Sequence, residues 1–181
     1  MKIIFFSDIH GVPSTVEKLL AHADDLMADQ LVLLGDILYH GPRNGVPGFY
    51  DPPKVAELLN ARREQILAVR GNCDAEVDQM LLKFPIMSDY AELAVDGHRF
   101  FLTHGHLWNP DKLPPLKADS IFLSGHTHVK LDEVRGDIRC LNPGSVSIPK
   151  NGSWHGYMTV EKGHFLWKDL EGTVHMEYRI G

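Results

Sequence analysis

The sequence of 181 residues has few cysteines and no long apolar run. Its two cysteines, Cys73 and Cys140, are too few for a disulfide framework and indicate free thiols in a reducing compartment. The longest apolar runs, such as residues 3–6 and 31–34, are far shorter than the ~20 residues of a membrane helix. The first run meets Ser7 too early for a signal-peptide core of roughly 7–15 residues. We therefore predict a cytoplasmic protein without a membrane span.

Basic runs are also missing, and acidic residues outnumber basic ones by 24 to 18, which gives a formal net charge of −6. Because affinity for duplexes depends on neutralising phosphates, this balance argues against a stable nucleic-acid complex but leaves a nucleotide open as a small substrate. The content of 44% hydrophobic and 23% charged residues is typical of a globular chain. With about 150 residues per domain as a guide, we expect one domain over residues 1–181.

The first half of the chain alternates apolar strands with amphipathic helices. Continuous apolar segments at residues 2–7, 31–35 and 66–69 predict buried strands. Ser14 begins a capping-box pattern before an apolar periodicity that extends to Met27, and Asp51 precedes two prolines at the predicted start of a second helix. This order favours a βαβαβ unit with parallel strands.

The second half has the pattern of an antiparallel sheet. Residues 92–96 and 98–103 flank an Asp-Gly hairpin signal, residues 121–124 form another apolar strand, and short strands alternate with glycine turns after residue 131. Together the two halves predict an α/β fold: a four-layer αββα sandwich in which two mixed sheets lie face to face and helices flank them.

Metal-type ligands follow five of the predicted strands at their carboxyl ends, and several of the eleven histidines lie there. The motifs, in chain order, are Asp8-Ile9-His10, Gly35-Asp36, Gly71-Asn72-Cys73-Asp74, His104-Gly105-His106 and Gly125-His126-Thr127-His128. Since ligands of α/β sheets bind at that edge, we expect these side chains to converge. One such motif is weak evidence, whereas five in this context point to a metal centre.

The ligand types restrict the metal. Two carboxylates, one amide oxygen and four imidazoles suit Mn²⁺, Fe, Zn²⁺, Ni²⁺ or Co²⁺ better than Ca²⁺. Seven ligands exceed one tetrahedral site and fit two ions about 3.5–4 Å apart that share a carboxylate, the geometry of two-metal phosphoester hydrolysis. In that chemistry a bridging hydroxide is the nucleophile and the cations neutralise the phosphate oxygens.

The order of these motifs resembles the calcineurin-like metallophosphoesterase superfamily over residues 8–128. The small size, Gly-Asn-Cys-Asp in place of the commoner Gly-Asn-His, and the stretches 40–44, 102–106 and 142–149 are similar to small bacterial phosphodiesterases of that superfamily. The resemblance implies the sandwich fold, a preference for phosphodiesters over phosphomonoesters, and two divalent ions with Mn²⁺ as the first choice and Zn²⁺, Fe or Ni²⁺ as alternatives.

The resemblance also implies a role for each motif residue. One metal would be held by Asp8, His10 and His128, the other by Asn72, His104 and His126, and Asp36 would bridge both. It assigns the catalytic centre to Asp36, Asn72, Cys73 and His104. Cys73 replaces the family's histidine, which leaves the general acid open, because a thiol is a weak donor and its thiolate is an alternative outer ligand.

Other polar residues near these motifs are candidates for substrate contacts. His40 and Arg43 lie in the long loop 40–53, where an Arg fork suits phosphate oxygens. For His106 a substrate contact and a supporting role are both open, and Cys73 is a further candidate. Asp74 is interpreted as the cap of a helix starting at Ala75, with the orientation of Cys73 or His104 as the alternative.

Two other functions use the same residues or the same fold. A phosphomonoesterase or nucleotide-polyphosphate hydrolase would have this ligand set, so that substrates must discriminate it from a phosphodiesterase. A protein-interaction scaffold like the retromer subunit of similar fold would tolerate loss of the ligands, whereas all seven positions here carry metal-competent side chains. A homo-oligomer remains open.

Overall fold

The computed structural model describes residues 1–180 of the chain. Its strands are β1 (Lys2–Phe6), β2 (Gln30–Leu33), β3 (Ile66–Ala68), β4 (Tyr90–Val95), β5 (His98–Thr103), β6 (Ile121–Leu123), β7 (Lys130–Arg135), β8 (Ile138–Pro143), β9 (Gly156–Glu161), β10 (His164–Asp169) and β11 (Val174–Arg179). Its helices are α1 (Pro13–Asp25), α2 (Pro52–Asn60) and α3 (Glu76–Leu81). None of these helices has the length and apolar character needed to cross a membrane.

The strands form two mixed sheets. The six-stranded sheet has the order β11-β10-β9-β1-β2-β3, and the five-stranded sheet has the order β4-β5-β6-β8-β7. Strands β1, β2 and β3 run parallel to one another, as do β5, β6 and β8, while the other pairs are antiparallel. The carboxyl ends of β1, β2 and β3 therefore lie at one edge of their sheet, and those of β5 and β6 lie at one edge of the other.

The two sheets pack face to face through alternate side chains. On β1, Ile3 and Phe5 point into a buried cluster that also contains Phe100, Leu102 and other residues of the five-stranded sheet. The neighbours Ile4 and Phe6 point to the opposite face, because successive side chains of a strand alternate. A strand buried on both faces explains why residues 3–6 are all apolar.

Helices α1 and α2 cover the outer face of the six-stranded sheet. Val16 and Leu19 of α1 and Val55 of α2 are buried in the cluster that contains Ile4 and Phe6. The prediction of an α/β fold with two mixed sheets face to face is confirmed, and the predicted helices flank the six-stranded sheet. The outer face of the five-stranded sheet is covered mainly by the loop between β5 and β6, which packs Trp108, Leu113 and Leu116 on Phe101 and Phe122.

The start of α1 differs from the prediction, whereas the start of α2 agrees with it. Val12 precedes Pro13 and provides no side-chain cap, so the capping box expected at Ser14 is wrong. The first-turn proline explains this, because its fixed φ begins the helix at residue 13, two residues earlier than a cap at Ser14 would. Met27 lies beyond the helix and is 81% exposed. Asp51 caps α2 as predicted, accepting a hydrogen bond from the backbone N–H of Lys54 at 3.0 Å.

Candidate metal centre

The five ligand-bearing segments meet between the two sheets at their adjoining edges. Segments following β1, β2 and β3 supply residues from the six-stranded sheet, and segments following β5 and β6 supply residues from the five-stranded sheet. Their side chains form two clusters joined by one carboxylate. The convergence expected from the motifs is therefore present.

The first cluster contains Asp8, His10 and His128. The Nε2 atom of His128 lies 3.2 Å from Asp8 Oδ1 and 3.2 Å from His10 Nε2. The Nε2 atom of His10 is 3.7 Å from the same Asp8 oxygen. Three ligand atoms at this spacing face a common point and are able to hold one metal ion.

The second cluster contains Asn72, His104 and His126. The Nε2 atom of His104 is 3.2 Å from Asn72 Oδ1 and 3.2 Å from Nδ1 of His126. His126 therefore presents its Nδ1 atom to the cluster, whereas the other histidines of both clusters present Nε2. Together with Asp36, the two histidines form a further group of side chains that are able to hold an ion.

Asp36 lies between the two clusters. Its Oδ2 atom is 3.7 Å from His10 Nε2 in the first cluster and 3.4 Å from His104 Nε2 in the second. Its Oδ1 atom accepts a hydrogen bond from the backbone N–H of Cys73 at 2.8 Å. One oxygen is thus fixed by the backbone while the other faces both clusters, which is the position a bridging carboxylate occupies.

Backbone carbonyls orient three of the four imidazoles. The Nδ1 atoms of His10, His104 and His128 lie 2.8, 2.6 and 2.6 Å from the carbonyl oxygens of Tyr39, Leu34 and Ile148, respectively. Because a carbonyl only accepts, each Nδ1 carries the proton and donates it. The Nε2 atoms then face the clusters, as expected for imidazoles that bind metals.

Five of the seven predicted ligand residues have a left-handed backbone. Their φ angles are 57° at Asp8, 50° at His10, 55° at Asp36, 67° at His126 and 62° at His128. This region is sparsely populated by residues other than glycine, although Asp and His are enriched in it. Such conformations cost free energy and occur preferentially at functional sites. Here they turn each chain segment sharply just after its strand.

Two glycines of the motifs are required by close packing rather than by turn geometry. A Cβ atom at Gly71 would lie 2.1 Å from Asp36 Oδ1, and one at Gly125 would lie 1.9 Å from Ser7 Oγ. Neither position has room for a side chain. The glycines therefore allow the ligand loops to approach one another closely.

One buried oxygen of the site indicates that the residues fit a cation. Asp8 Oδ1 is inaccessible to solvent and has no hydrogen-bond partner among the described residues. An unsatisfied buried carboxylate oxygen is costly unless a cation or a donor faces it. Because two carboxylates and several imidazole nitrogens surround this point, the donor set suits divalent transition metals.

The site is electrostatically coupled. Burial opposes charge on Asp8, but the neighbouring imidazoles of His10 and His128 hold the pKa of Asp8 well below its usual range. Burial likewise opposes a charged His104, yet the Asp36 and Asp8 carboxylates raise the pKa of His104 to about 9. The carboxylates are therefore anionic at neutral pH and attract positive charge to the centre.

Asp74 joins two ligand loops instead of capping a helix. Its carboxylate accepts hydrogen bonds from the backbone N–H groups of Asp36, Ile37 and Gly71 at 2.9, 2.8 and 2.7 Å. The predicted cap at the helix beginning near Ala75 is wrong, because the carboxylate is 7% exposed and turned inward. Burial raises the pKa of Asp74 to about 6 despite these hydrogen bonds.

Cys73 lies beside the Asp36 carboxylate. Its sulfur belongs to a group with His10 and Asp36 whose ligand atoms all lie within 4.8 Å of one another, and Asn72 Nδ2 donates to it at 3.2 Å. Burial and the Asp36 charge raise the pKa of the Cys73 thiol to about 12. The surrounding protein groups therefore keep this thiol protonated.

A narrow cleft opens onto the two clusters. It is lined by Asp36, Gly41, Pro42, Arg43, Asn44, Asn72, Cys73, His126, His128 and Lys150. Arg43 was a predicted substrate contact and does line the cleft. Asn44 and Lys150 were missed, since nothing in a lone Asn or Lys of a loop distinguishes it from a solvated residue.

Two further predicted contacts lie near the cleft but outside its lining. The His40 ring packs against Tyr39 and Tyr50. Its centroid lies 4.7 Å from that of the Tyr39 ring and 5.3 Å from that of the Tyr50 ring. The His106 ring lies 5.4 Å from the His104 ring, and its buried Nδ1 atom has no hydrogen-bond partner among residues 1–180. Substrate contacts by either histidine stay predictions.

Fold and site together define a metallophosphoesterase, and the comparison with protein families agrees. The profile of the calcineurin-like phosphoesterase superfamily domain matches residues 1–163. The chain belongs to this superfamily, so the resemblance inferred from the motifs is confirmed.

Similarity to individual proteins is more informative about the class of reaction than the family profile is. The chain is 50% identical over 157 residues to "Phosphodiesterase YfcE" of Escherichia coli strain K12, covering 87% of this chain and 85% of that protein. A solved structure of E. coli YfcE, described as a phosphoesterase, covers 100% of both chains with a TM-score of 0.96 and 44% identity.

A third similarity concerns the fold alone. Vps29 from Entamoeba histolytica, solved in complex with Zn²⁺, has a TM-score of 0.62 and 16% identity, and the alignment covers 99% of this chain and 98% of that one. At this level of identity the likeness carries no functional assignment.

Proposed function

We propose that the protein is a metal-dependent phosphoric diester hydrolase with a two-ion site. The observation that carries this proposal is the position of Asp36 Oδ2, which faces His10 of one cluster and His104 of the other. A carboxylate in that position is able to bridge two cations. The 50% identity to a protein named a phosphodiesterase supports the class of reaction.

Each ion would have its own ligands. Asp8, His10 and His128 would hold the first ion, Asn72, His104 and His126 the second, and Asp36 both. When bound, the two ions would supply a bridging hydroxide as nucleophile and positive charge for the phosphate oxygens. Asn72 lines the cleft, where the phosphate would enter, whereas His104 is fully buried beneath it.

We propose Mn²⁺ as the metal, with Zn²⁺, Fe or Ni²⁺ as alternatives. Carboxylate and amide oxygens are hard ligands that suit Mn²⁺, whereas imidazoles also suit the other ions. No thiolate is needed among the seven ligands. Because Cys73 lines the cleft, we propose that its thiol contacts the phosphate instead of replacing a ligand.

Arg43 is the proposed phosphate contact outside the metal ligands. It lines the cleft from the loop after β2, and its guanidinium is suited to phosphate oxygens. Of the alternatives, a phosphomonoesterase uses the same ligands and differs only in its substrate. A scaffold of the retromer-subunit type would have no use for the buried, strained geometry of these side chains, which costs free energy of folding.

The proposal is tested by hydrolysis assays on chelator-treated protein with and without Mn²⁺. Bis-p-nitrophenyl phosphate and p-nitrophenyl phosphate serve as the diester and the monoester. We expect release from the diester only when Mn²⁺ is present, and a loss of at least about 10³-fold in Asp36→Asn, because an amide is a poor bridge between two cations.

The control variant for this test is Asp111→Asn, an equally isosteric change at an exposed side chain. It should keep wild-type turnover, and circular dichroism should show both variants folded. Wild-type turnover in folded Asp36→Asn would contradict the two-ion proposal. Activity on the monoester alone would favour the phosphomonoesterase. A cytoplasmic location, the absence of a nucleic-acid complex and homo-oligomerisation stay predictions.

A further inference from the structure

Two cationic side chains stand at the mouth of the cleft. Arg43 and Lys150 both line it and both are exposed. Within residues 1–180, neither side chain has a carboxylate within 4.0 Å, and neither makes a side-chain hydrogen bond. Both cations are therefore available to an anionic ligand.

The backbone holds each of these residues beside the metal ligands. The N–H of Lys150 donates a hydrogen bond to the carbonyl of His128 at 3.2 Å. Ile148, two residues earlier in the chain, accepts a hydrogen bond from the His128 ring. Arg43 lies in a turn in which Asn44 N–H donates to Gly41 at 3.3 Å and Asn44 Nδ2 donates to the carbonyl of His40 at 2.8 Å. The positions of both cations are thus tied to the site.

The cleft itself is small. Its volume is about 30 Å³, well below the range for pockets that enclose a whole ligand. A phosphoryl group would fill its floor, so that the substituents of a diester would extend over the mouth. Lys150 would then contact a substituent, and Arg43 would contact a substituent as well as the scissile phosphate.

The positive charge at the mouth of the cleft determines which substituent of the diester binds there. A phosphodiester carries one negative charge, which the centre is already suited to neutralise, and the whole protein has a formal net charge of −6 that gives no general attraction for anions. We infer that the substrate is a phosphodiester bearing a second, phosphate-type anionic group on one substituent, and that Arg43 and Lys150 bind this group. This inference rests on the proposed function of the site.

The test compares two diesters with the same leaving group. p-Nitrophenyl ethyl phosphate has a neutral arm, and p-nitrophenyl 2-phosphonoethyl phosphate has a second anion that resists hydrolysis. In the Mn²⁺-loaded wild type, we expect KM to be about tenfold lower for the phosphonate, in line with a charge-assisted contact. Lys150→Gln should remove most of this advantage with little change in KM for the ethyl diester.

Arg43→Gln is the second variant, and Lys83→Gln, at an exposed lysine away from the cleft, is the matched control that should behave as wild type. Calorimetric titration of the product 2-phosphonoethyl phosphate gives a readout independent of turnover. We expect its Kd to rise about tenfold in Lys150→Gln, and the wild-type preference to weaken with added salt.

The outcomes distinguish a failure of this inference from a failure of the proposed function. If the wild type hydrolyses both diesters with equal KM, or if Lys150→Gln raises KM equally for both, the inference is wrong while the proposed function stands. If neither diester is hydrolysed, the proposed function fails, and an unchanged calorimetric Kd in Lys150→Gln and Arg43→Gln then overturns the inference as well.

Discussion

At the scale of residues, Asp74 shows how one buried carboxylate supports a site that it does not enter. It accepts three backbone hydrogen bonds, two from the loop after β2 and one from the loop after β3. Both loops carry ligands, Asp36 and Asn72. Asp74 therefore fixes the position of the loop that carries Asp36 relative to the loop that carries Asn72.

Replacement of Asp74 by alanine should lower the free energy of unfolding by about 2–4 kcal/mol, because three buried N–H groups lose their acceptor. Urea unfolding monitored by circular dichroism at neutral pH measures this change. Asp25→Ala, at an exposed residue, should stay within about 0.5 kcal/mol of the wild type. Equal stability of the Asp74 and Asp25 variants would show that water replaces the carboxylate.

At the scale of elements, the loops after the strands matter more than the strands themselves. They bring glycines and ligands into contact, as Gly71 and Asp36 show, and they hold five ligand residues in the left-handed region. Strands β1 to β3 and β5 to β6 supply the fixed frame from which these loops depart. Small changes in a loop should therefore affect metal affinity more than stability.

Gly71→Ala is the matching test, because its Cβ atom would displace the Asp36 carboxylate. We expect the affinity for Mn²⁺ to fall about 10- to 100-fold, the range seen when the surroundings of ligands are disturbed. Calorimetric titration of chelator-treated protein with Mn²⁺ measures it. Gly48→Ala has open space around its Cβ atom and should bind as the wild type does. Equal affinities would mean that the loop relaxes freely.

At the scale of the whole molecule, the site connects the two sheets. Asp8, His10 and Asp36 follow strands of the six-stranded sheet, whereas His104 and His126 follow strands of the five-stranded sheet. Cations bound there would add ligand contacts across the sandwich to its apolar packing. Binding that occurs only in the folded state raises stability by mass action.

Chelation should therefore lower the Tm, and Mn²⁺ at about 100 times its Kd should restore about 2.7 kcal/mol, or roughly 5–10 °C for a chain of this length. Differential scanning calorimetry on stripped and reloaded protein measures the shift. In Asp36→Asn the shift should be much smaller, since one ligand of both ions is lost. An identical Tm with and without metal would contradict a site that binds ions in the folded state.

Much of the fold was predictable because its signals are local. Apolar runs such as residues 3–6 indicated buried strands, and the prolines after Asp51 indicated a helix start. Strand ends were less certain, and β2 ends at Leu33, two residues before the predicted end. The capping box at Ser14 failed because Pro13 begins α1 earlier, a competition between two local signals.

The sequence by itself determined which residue types follow each strand, and therefore the convergence of the ligands, because parallel strands bring their carboxyl ends to one edge whatever the details of packing. Only the tertiary structure decided that Asp74 joins two loops, that Lys150 and Asn44 reach the cleft, and that Trp108 covers the second sheet. Such contacts join residues far apart in the chain, so that no local pattern of hydrophobicity or spacing specifies them.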